Sequence, residues 1–254
     1  MRTLIAVCAA AVVLGSAAGA IAYGAPAHVA AAIATSTRPE ADRARDVNRM
    51  PAEVLAFTGV KPGDVVVDFW PGGGYFTRLF SPAVGPRGKV YAISPQELVD
   101  KFGDRAKASM EKLRGDANTS NVTGLFVPVS AFATPEKVDV FFTMQNYHDL
   151  HAKFMEGTDA IAFNRAVFAS LKPGGVYIVG DHAAAPGSDV STSETLHRID
   201  SAIVRREVEA AGFEYVGSLD VLRRADDPHT DRIFEEGIRD KTDRFILKFR
   251  KPRR

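Results

Sequence analysis

Side chains that could transfer protons follow two hydrophobic runs of the sequence. His148 comes shortly after the run Val138 to Thr143, and His182 closely follows the run Val176 to Gly180. An imidazole can take a proton from a reacting group at neutral pH. We therefore predict His148 and His182 as catalytic residues, with Tyr147 beside them to align an acceptor.

Other interpretations of these side chains remain open. Asp149 could hydrogen-bond to His148 and cap the next helix, which would make both structural. Asp181 and His182 are expected at the same sheet edge as Tyr147, His148 and Asp149, and this cluster of acids and imidazoles could instead hold a divalent ion that polarises a catechol-like acceptor. No spacing such as H-E-x-x-H supports an ion, so no metal ligand is predicted. His197 is expected on the polar face of a helix, with contact to the pocket as the alternative.

A glycine-rich turn is the most informative local feature. The β-branched run Val65 to Phe69 contains Asp68, and the glycines from Gly72 to Gly74 follow it. Such a turn indicates that a buried parallel strand passes into a helix at the edge of the sheet where ligands bind. A dinucleotide-binding fingerprint would need glycine at position 77, where the chain has Thr77. This difference argues against the interpretation that the protein is a nicotinamide-dependent oxidoreductase. An ordinary strand-to-helix turn remains the alternative.

Strand and helix patterns alternate along the chain, which predicts a parallel sheet with right-handed crossovers. The predicted strands are Val65 to Phe69, Val90 to Ile93, Val122 to Val127, Val138 to Thr143, Val176 to Gly180, Phe213 to Leu219 and Phe245 to Phe249. The predicted helices are Pro51 to Thr58, Tyr75 to Phe80, Pro95 to Leu113, Ala152 to Leu171 and Leu196 to Ala211.

The composition argues against several classes of function. The chain has 254 residues, of which 46% are hydrophobic and 25% charged, and its formal net charge is +1. A chain this long can bury one large core, and the balanced charge argues against a nucleic-acid partner. The single cysteine, Cys8, lies in the N-terminal apolar run, so a thiol nucleophile is excluded once that run is removed.

The N-terminus resembles an export signal. Arg2 precedes an apolar run from Leu4 to Leu14, and small residues suitable for cleavage follow. We predict a signal peptide over residues 1–22, a flexible lead-in over 23–37 and one domain over 38–254. The protein would be periplasmic or secreted, with an uncleaved membrane anchor as the alternative.

Several motifs resemble those of class I S-adenosylmethionine-dependent methyltransferases. The motif acid-x-x-x-G-x-G is present as Asp68, Gly72 and Gly74, and three further runs share the resemblance: 59–64 (GVKPGD), 88–92 (GKVYA) and 171–175 (LKPGG). Three other runs resemble a narrower group of predicted secreted methyltransferases: 146–151 (NYHDLH), 196–200 (LHRID) and 241–245 (KTDRF).

The resemblance implies an α/β, Rossmann-like fold with a seven-stranded, mostly parallel sheet, an antiparallel last strand and helices on both faces. It also implies S-adenosyl-L-methionine as the cofactor. Ser94, with Glu97 as substitute, occupies the position of the acid that usually holds the ribose, and Ser130 and Phe132 the region that usually contacts the adenine. The predicted cofactor-binding residues are Asp68, Trp70, Gly72, Gly74, Ser94, Glu97, Ser130, Phe132 and Asn146.

The expected function is transfer of a methyl group from S-adenosylmethionine to a small-molecule acceptor, at oxygen. The alternative is an exported ligand-binding protein that keeps the fold without methyl transfer. Ser94 and Ser130, which replace acids of the resembled family, favour this alternative because hydrogen bonds to charged groups are stronger than neutral ones. The sequence gives no prediction of oligomeric state.

Overall fold

The computed structural model describes residues 24–116 and 119–253. Within this part of the chain, seven strands form one sheet in the order β3-β2-β1-β4-β5-β7-β6. The strands are β1 Val65–Phe69, β2 Lys89–Pro95, β3 Val122–Val127, β4 Val138–Met144, β5 Leu171–His182, β6 Glu214–Ser218 and β7 Arg244–Arg250. Only β7 runs antiparallel to its neighbours β5 and β6. The predicted fold class is confirmed.

Ten α-helices lie in the described residues. They are α1 Ala27–Ala34, α2 Glu40–Arg43, α3 Asp46–Arg49, α4 Pro51–Thr58, α5 Thr77–Val84, α6 Gln96–Phe102, α7 Asp104–Arg114, α8 Ala160–Ser170, α9 Thr192–Leu196 and α10 Ser201–Ala210. Short 3-10 segments follow β3 and β4, at Val129–Ala131, Tyr147–His151 and Lys153–Met155.

Alternate residues of β1 enter two separate apolar layers. Val65 and Val67 join the layer under α8 and α10, whereas Val66 joins the layer under α1, α4 and α5. All five residues of β1 are buried, because helices cover both faces of the sheet. A central strand therefore needs an uninterrupted run of apolar, mostly β-branched residues, and this explains why its bounds were predictable.

The N-terminal lead-in differs from the expectation. Residues 23–37 were expected to be flexible, but Ala27–Ala34 form α1, in which Val29 and Ala32 are buried against α4 and α5. The alanine-rich composition that suggested a linker also favours a helix and allows close packing. The predicted signal peptide, residues 1–22, lies outside the described residues. Within the described ranges, no helix is both long and apolar enough to cross a membrane.

Three predicted helices are shorter than expected, each for a local reason. The predicted helix Pro95 to Leu113 is divided at Gly103, whose φ of 53° is left-handed. The predicted Ala152 to Leu171 is an α-helix only after Asp159, whose carboxylate accepts hydrogen bonds from two backbone N–H groups and so caps it. Asp200 caps α10 in the same way, so that helix begins at Ser201.

Candidate functional site

A cavity of about 600 Å³ lies at the carboxyl ends of β1, β4 and β5. Asp68, Met144 and His182 line it from the three strands, and residues 232–240, here called the roof segment, line it from the C-terminal part of the chain. The volume is within the range of small-molecule sites. The cavity is therefore at the edge where open α/β sheets bind ligands.

A second cavity of about 390 Å³ lies beside the end of β2. Ser94 lines it together with side chains of α6 and α7. The two cavities share Trp70, Gly72, Leu98 and Phe102 in their walls. An elongated ligand could therefore extend from one cavity to the other past the glycine turn.

The two glycines of the motif, Gly72 and Gly74, have different surroundings. Gly72 borders both cavities, and a Cβ added there would meet no atom within 4 Å. A Cβ at Gly74 would lie 2.5 Å from Cδ1 of Leu113 in α7. Gly74 lines neither cavity, so the structure does not support its predicted contact with the cofactor, and its φ of 80° instead suits the turn.

Asp68 joins the end of β1 to the start of α5. Its side chain is 3% exposed, and Oδ2 accepts a 2.5 Å hydrogen bond from Thr77 Oγ1. Burial raises the pKa of Asp68 to about 7, even though the hydrogen bonds from Thr77 oppose that shift. Asp68 borders the main cavity. Its hydrogen bond with Thr77 shows that its side chain also stabilises the turn.

Trp70 adopts a backbone conformation that favours glycine. Its φ of 61° is left-handed, a conformation that costs roughly 1–2 kcal/mol for a residue with a Cβ. The indole packs edge-on against Phe69 and Phe154, with ring centroids 6.4 and 6.1 Å apart. It forms part of the wall of both cavities and fills neither.

Asn146 supports the same turn from β4. Its side-chain amide donates to the backbone carbonyls of Trp70, at 3.0 Å, and Met144, at 2.8 Å. These bonds connect the ends of β1 and β4 directly above the sheet. Asn146 also lines the main cavity, as predicted for a residue that contacts a ligand.

Three of the predicted cofactor contacts lie away from both cavities. Glu97 turns to the loop after β3, where Oε1 accepts a 3.0 Å hydrogen bond from the backbone N–H of Val129. Ser130 is exposed and lines neither cavity. The Phe132 ring lies in the core, with its centroid 5.6 Å from that of Phe69, because an apolar ring gains more from that burial than from a place at the surface. These three predictions are corrected, and of the four residues predicted for the ribose and the adenine only Ser94 lines the second cavity.

Tyr147 was predicted as catalytic, but it points into the core. Its hydroxyl donates to Glu207 Oε2 at 2.8 Å and accepts from Asn164 Nδ2 at 2.7 Å. The side chain is 1% exposed and lines neither cavity. A buried hydroxyl needs hydrogen-bond partners, and those partners are residues of α8 and α10, so the prediction is corrected.

The two predicted catalytic histidines are joined by one buried acid. Asp181 accepts from His148 Nδ1 at 2.9 Å and from the backbone N–H groups of His148 and His182, each at 2.7 Å. His182 Nδ1 lies 2.6 Å from Thr242 Oγ1, and His182 Nε2 lies 3.2 Å from Gln145 Nε2. Both histidines line the main cavity, so the structure brings them together as predicted.

The environment gives these two imidazoles different charge states. Burial works against protonation of His148, but the charges of Asp181 and Asp149 outweigh it and raise the pKa of His148 to about 9. Burial lowers the pKa of His182 to about 3. At neutral pH His148 therefore already carries its proton and His182 is a weak base, so neither has the pKa of a general base near 7.

Arg49 is a site residue that the sequence analysis missed. Its guanidinium carbon lies 4.6 Å from the centre of the Tyr75 ring, and Nη2 donates to Gln145 Oε1 at 3.3 Å. Nε is buried without a hydrogen-bond partner, and burial, with the charge of Arg45, lowers the Arg49 pKa to about 10. Arg49 is thus an underpaired cation in the cavity wall. Its place just before Pro51, where a helix begins, gave no sign that it folds back over the glycine turn.

Comparison with known proteins shows similarity in structure alone. No protein-family model matches the sequence. No curated protein matches it either. Similar solved structures exist, and we describe three of them.

All three share most of their length with this chain. A SAM-dependent methyltransferase from Aquifex aeolicus is 21% identical with a TM-score of 0.52, over 78% of this chain and 87% of that one. The glycopeptide N-methyltransferase MtfA, solved with S-adenosylmethionine, is 14% identical with a TM-score of 0.52, over 79% and 86%. The [4+2]-cyclase SpnF is 19% identical with a TM-score of 0.52, over 84% and 81%. At these identities the similarity establishes the fold, which this chain shares with S-adenosylmethionine-dependent methyltransferases.

Proposed function

We propose that the protein binds S-adenosyl-L-methionine across its two cavities and transfers the methyl group to a small-molecule acceptor, at oxygen. The observation that carries this proposal is the pair of cavities that meet at Gly72, with Arg49 beside the turn. The similar methyltransferase structures support the choice of cofactor. We infer that the nucleoside occupies the cavity at Ser94 and the methionine part the main cavity.

The residues present fit this cofactor at three points. The open space above Gly72 lets a ligand approach the backbone closely. The underpaired Arg49 guanidinium suits a carboxylate, since such charge-assisted bonds are strong and directional. The Trp70 indole suits a sulfonium, because aromatic faces attract cations. When bound, S-adenosylmethionine supplies an activated methyl group for an in-line displacement.

The contribution of the protein to the reaction is then to position the reactants. Asn146 fixes the Trp70 carbonyl, and Gln145 holds both Arg49 and His182, so the cavity wall is rigid before a ligand arrives. Holding two reactants at contact distance can supply much of a rate enhancement without a base. The protonated His148 can donate a hydrogen bond and does not need to accept a proton.

Calorimetric titration of the full-length chain with S-adenosylmethionine and with S-adenosylhomocysteine tests the proposal. We expect both to bind, and Arg49→Met to weaken both at least tenfold because the carboxylate loses its cation. Arg250→Met is the matched control, since Arg250 lies at the far end of β7 in an exposed pair with Glu214. Absence of binding at near-millimolar ligand would contradict the proposal.

The second candidate is a ligand-binding protein that does not transfer methyl groups. Glu97 points away from the cavities, and Ser94 offers only a neutral hydroxyl, so the ribose would lack its usual charged partner. SpnF carries the same fold and is named as a cyclase. Incubation with methyl-labelled S-adenosylmethionine and a panel of phenols distinguishes the candidates, because only an enzyme moves the label.

We also propose export, from the sequence pattern of residues 1–22. Fusion of the first 40 residues to a reporter that is active only outside the cytoplasm tests this directly. Replacement of Leu4 and Val12 by Asp should abolish the signal by breaking the apolar run. Unchanged reporter activity in that variant would contradict the proposal.

A further inference from the structure

We propose that His148, Asp149 and His197 form a binding site for a divalent first-row metal ion, with Zn²⁺ as the best match. All three line the main cavity. One imidazole nitrogen from each histidine and one Asp149 oxygen lie within 4.8 Å of one another. Two imidazoles and a carboxylate are a ligand set that zinc and related ions favour.

Two of the three distances between ligand atoms require only a small contraction around an ion, and the third is at most 4.8 Å. His148 Nε2 lies 3.5 Å from Asp149 Oδ1, and His197 Nδ1 lies 3.9 Å from the same oxygen. With bonds of about 2.0–2.1 Å, a tetrahedral zinc places its ligand atoms roughly 3.4 Å apart. Asp149 and His197 are partly exposed, with side-chain exposures of 15% and 22%, so they can move toward the ion.

Asp181 orients the most buried ligand. It holds His148 Nδ1 at 2.9 Å, which leaves Nε2 directed at Asp149. A bound ion takes the place of the proton that Nε2 carries in the metal-free chain, so binding releases that proton to solvent. The Asp181 carboxylate is itself fixed by two backbone N–H groups and is fully buried. A carboxylate on the far nitrogen of a coordinating histidine is the usual support of such a ligand. In a purely structural hydrogen-bonded pair, His148 would need no second acid at Nε2.

His197 requires one local adjustment. Arg232 Nη2 lies 3.3 Å from His197 Nε2. If Nδ1 coordinates the ion, Nε2 carries the proton, and the exposed Arg232 side chain turns toward solvent. The acids Asp149, Asp181 and Glu194 face this region, against the cations Lys101 and Arg232, which leaves one net negative charge to offset part of a bound dication's charge.

Three protein ligands leave at least one coordination position open toward the cavity. That position suits an oxygen atom of an acceptor, such as a phenol or an enol. This role, though not the metal site itself, rests on the proposed methyl transfer. The ion would hold the acceptor oxygen at the end of β4, beside the main cavity.

The test is titration of the metal-free full-length chain with Zn²⁺ by calorimetry and with Co²⁺ by visible absorption, both without S-adenosylmethionine. We expect one ion per chain and a Co²⁺ d–d band. Asp149→Asn and His197→Gln should each weaken binding at least tenfold, and Asp181→Asn should weaken it 10–100-fold as an orienting partner. His151→Gln is the control, since His151 pairs with Glu207 outside the cluster.

The variants are chosen at the partly exposed ligands because replacement of the buried His148 could unfold the chain. No uptake by the folded wild type, or uptake unchanged by Asp149→Asn and His197→Gln, overturns the metal site. Donor binding is measured separately in the presence of a chelator. A chain that takes up zinc but no donor upholds the site and overturns only the proposed methyl transfer.

Discussion

Two residues beside the glycine turn, Asp68 and Trp70, each destabilise the folded chain locally. Asp68 is a carboxyl group in a buried place, and its pKa is about 7 because ionisation there loses solvation. Trp70 adopts a left-handed backbone although it has a Cβ. Both residues border the main cavity, so the local cost falls where a ligand would bind.

The raised pKa of Asp68 predicts a pH-dependent stability difference. The folded chain keeps a proton that the unfolded chain loses near pH 4, so wild-type stability falls relative to Asp68→Asn as pH rises from about 4 to 7 and then levels. We expect the variant to gain about 3 kcal/mol over the wild type across this range. Urea unfolding at pH 4.5 and pH 8 measures it.

The control for this experiment is Asp226→Asn, because Asp226 is exposed. Its free energy of unfolding should follow that of the wild type within about 0.5 kcal/mol at both pH values. If Asp68→Asn shows the same constant offset at both pH values, Asp68 ionises normally in the folded chain.

The backbone of Trp70 predicts an unusual order of stability between two small replacements. Trp70→Gly and Trp70→Ala both remove the indole, but only glycine relaxes a φ of 61°. We expect Trp70→Gly to be more stable than Trp70→Ala by about 1 kcal/mol, measured by thermal unfolding. Equal stabilities, or a more stable alanine variant, would show that this backbone is not strained.

At the scale of elements, α1 is the main departure from the sequence analysis. Its residues Val29 and Ala32 are 0% and 1% exposed and share a layer with Val54 of α4 and Leu79 of α5. The helix therefore covers part of one face of the sheet. A segment that was expected to be a linker contributes to the core.

Val29→Ala tests this contribution. Removing two buried methyl groups should lower the free energy of unfolding by about 1–2 kcal/mol, through lost burial and the remaining cavity. Val47→Ala is the matched control, because Val47 is 71% exposed and the same change should cost less than about 0.5 kcal/mol. Equal effects of the two substitutions would mean that α1 is not held on the core in solution.

The strands were predictable and several helix ends were not, for one physical reason. A central strand such as β1 is buried on both faces, so its apolar run ends where burial ends. A helix such as α8 begins where a side chain caps it, and the apolar pattern before Asp159 continued into 3-10 turns that also bury Leu150 and Met155. Hydrophobicity alone cannot separate these two kinds of helix.

Some site residues could likewise be predicted from the sequence, and others could not. His148 and His182 could be placed because the ends of parallel strands meet at one edge of the sheet. Tyr147 could not, because the 3-10 turn Tyr147–His151 sends adjacent side chains to opposite sides. Arg49 could not either, since its position depends on how the helices before β1 fold over the glycine turn.

At the scale of the whole molecule, a buried ion pair ties the loop just before the roof segment to the end of β5. Arg198, which is 0% exposed, contacts both carboxylate oxygens of Asp227 at 2.8 and 3.1 Å. It also donates to the carbonyls of Ala183, after β5, and Asp231, beside the roof segment. The roof of the main cavity thus depends on a residue far from it in sequence.

Arg198→Met should lower the free energy of unfolding by about 3–5 kcal/mol, because it leaves Asp227 buried without its cation. Arg205→Met, which breaks an exposed pair with Glu209, should cost less than about 1 kcal/mol. Denaturant unfolding of both variants gives the comparison. Similar losses for the two would show that the roof segment is held by other contacts.

Trp70 is the single tryptophan of the chain, and its indole borders both cavities. The tryptophan emission of the unlabelled protein therefore comes from one fluorophore at the junction of the two cavities. Entry of any molecule into either one changes the polarity around that ring. The chain carries a built-in optical probe, with which collections of small molecules can be screened before an acceptor is known.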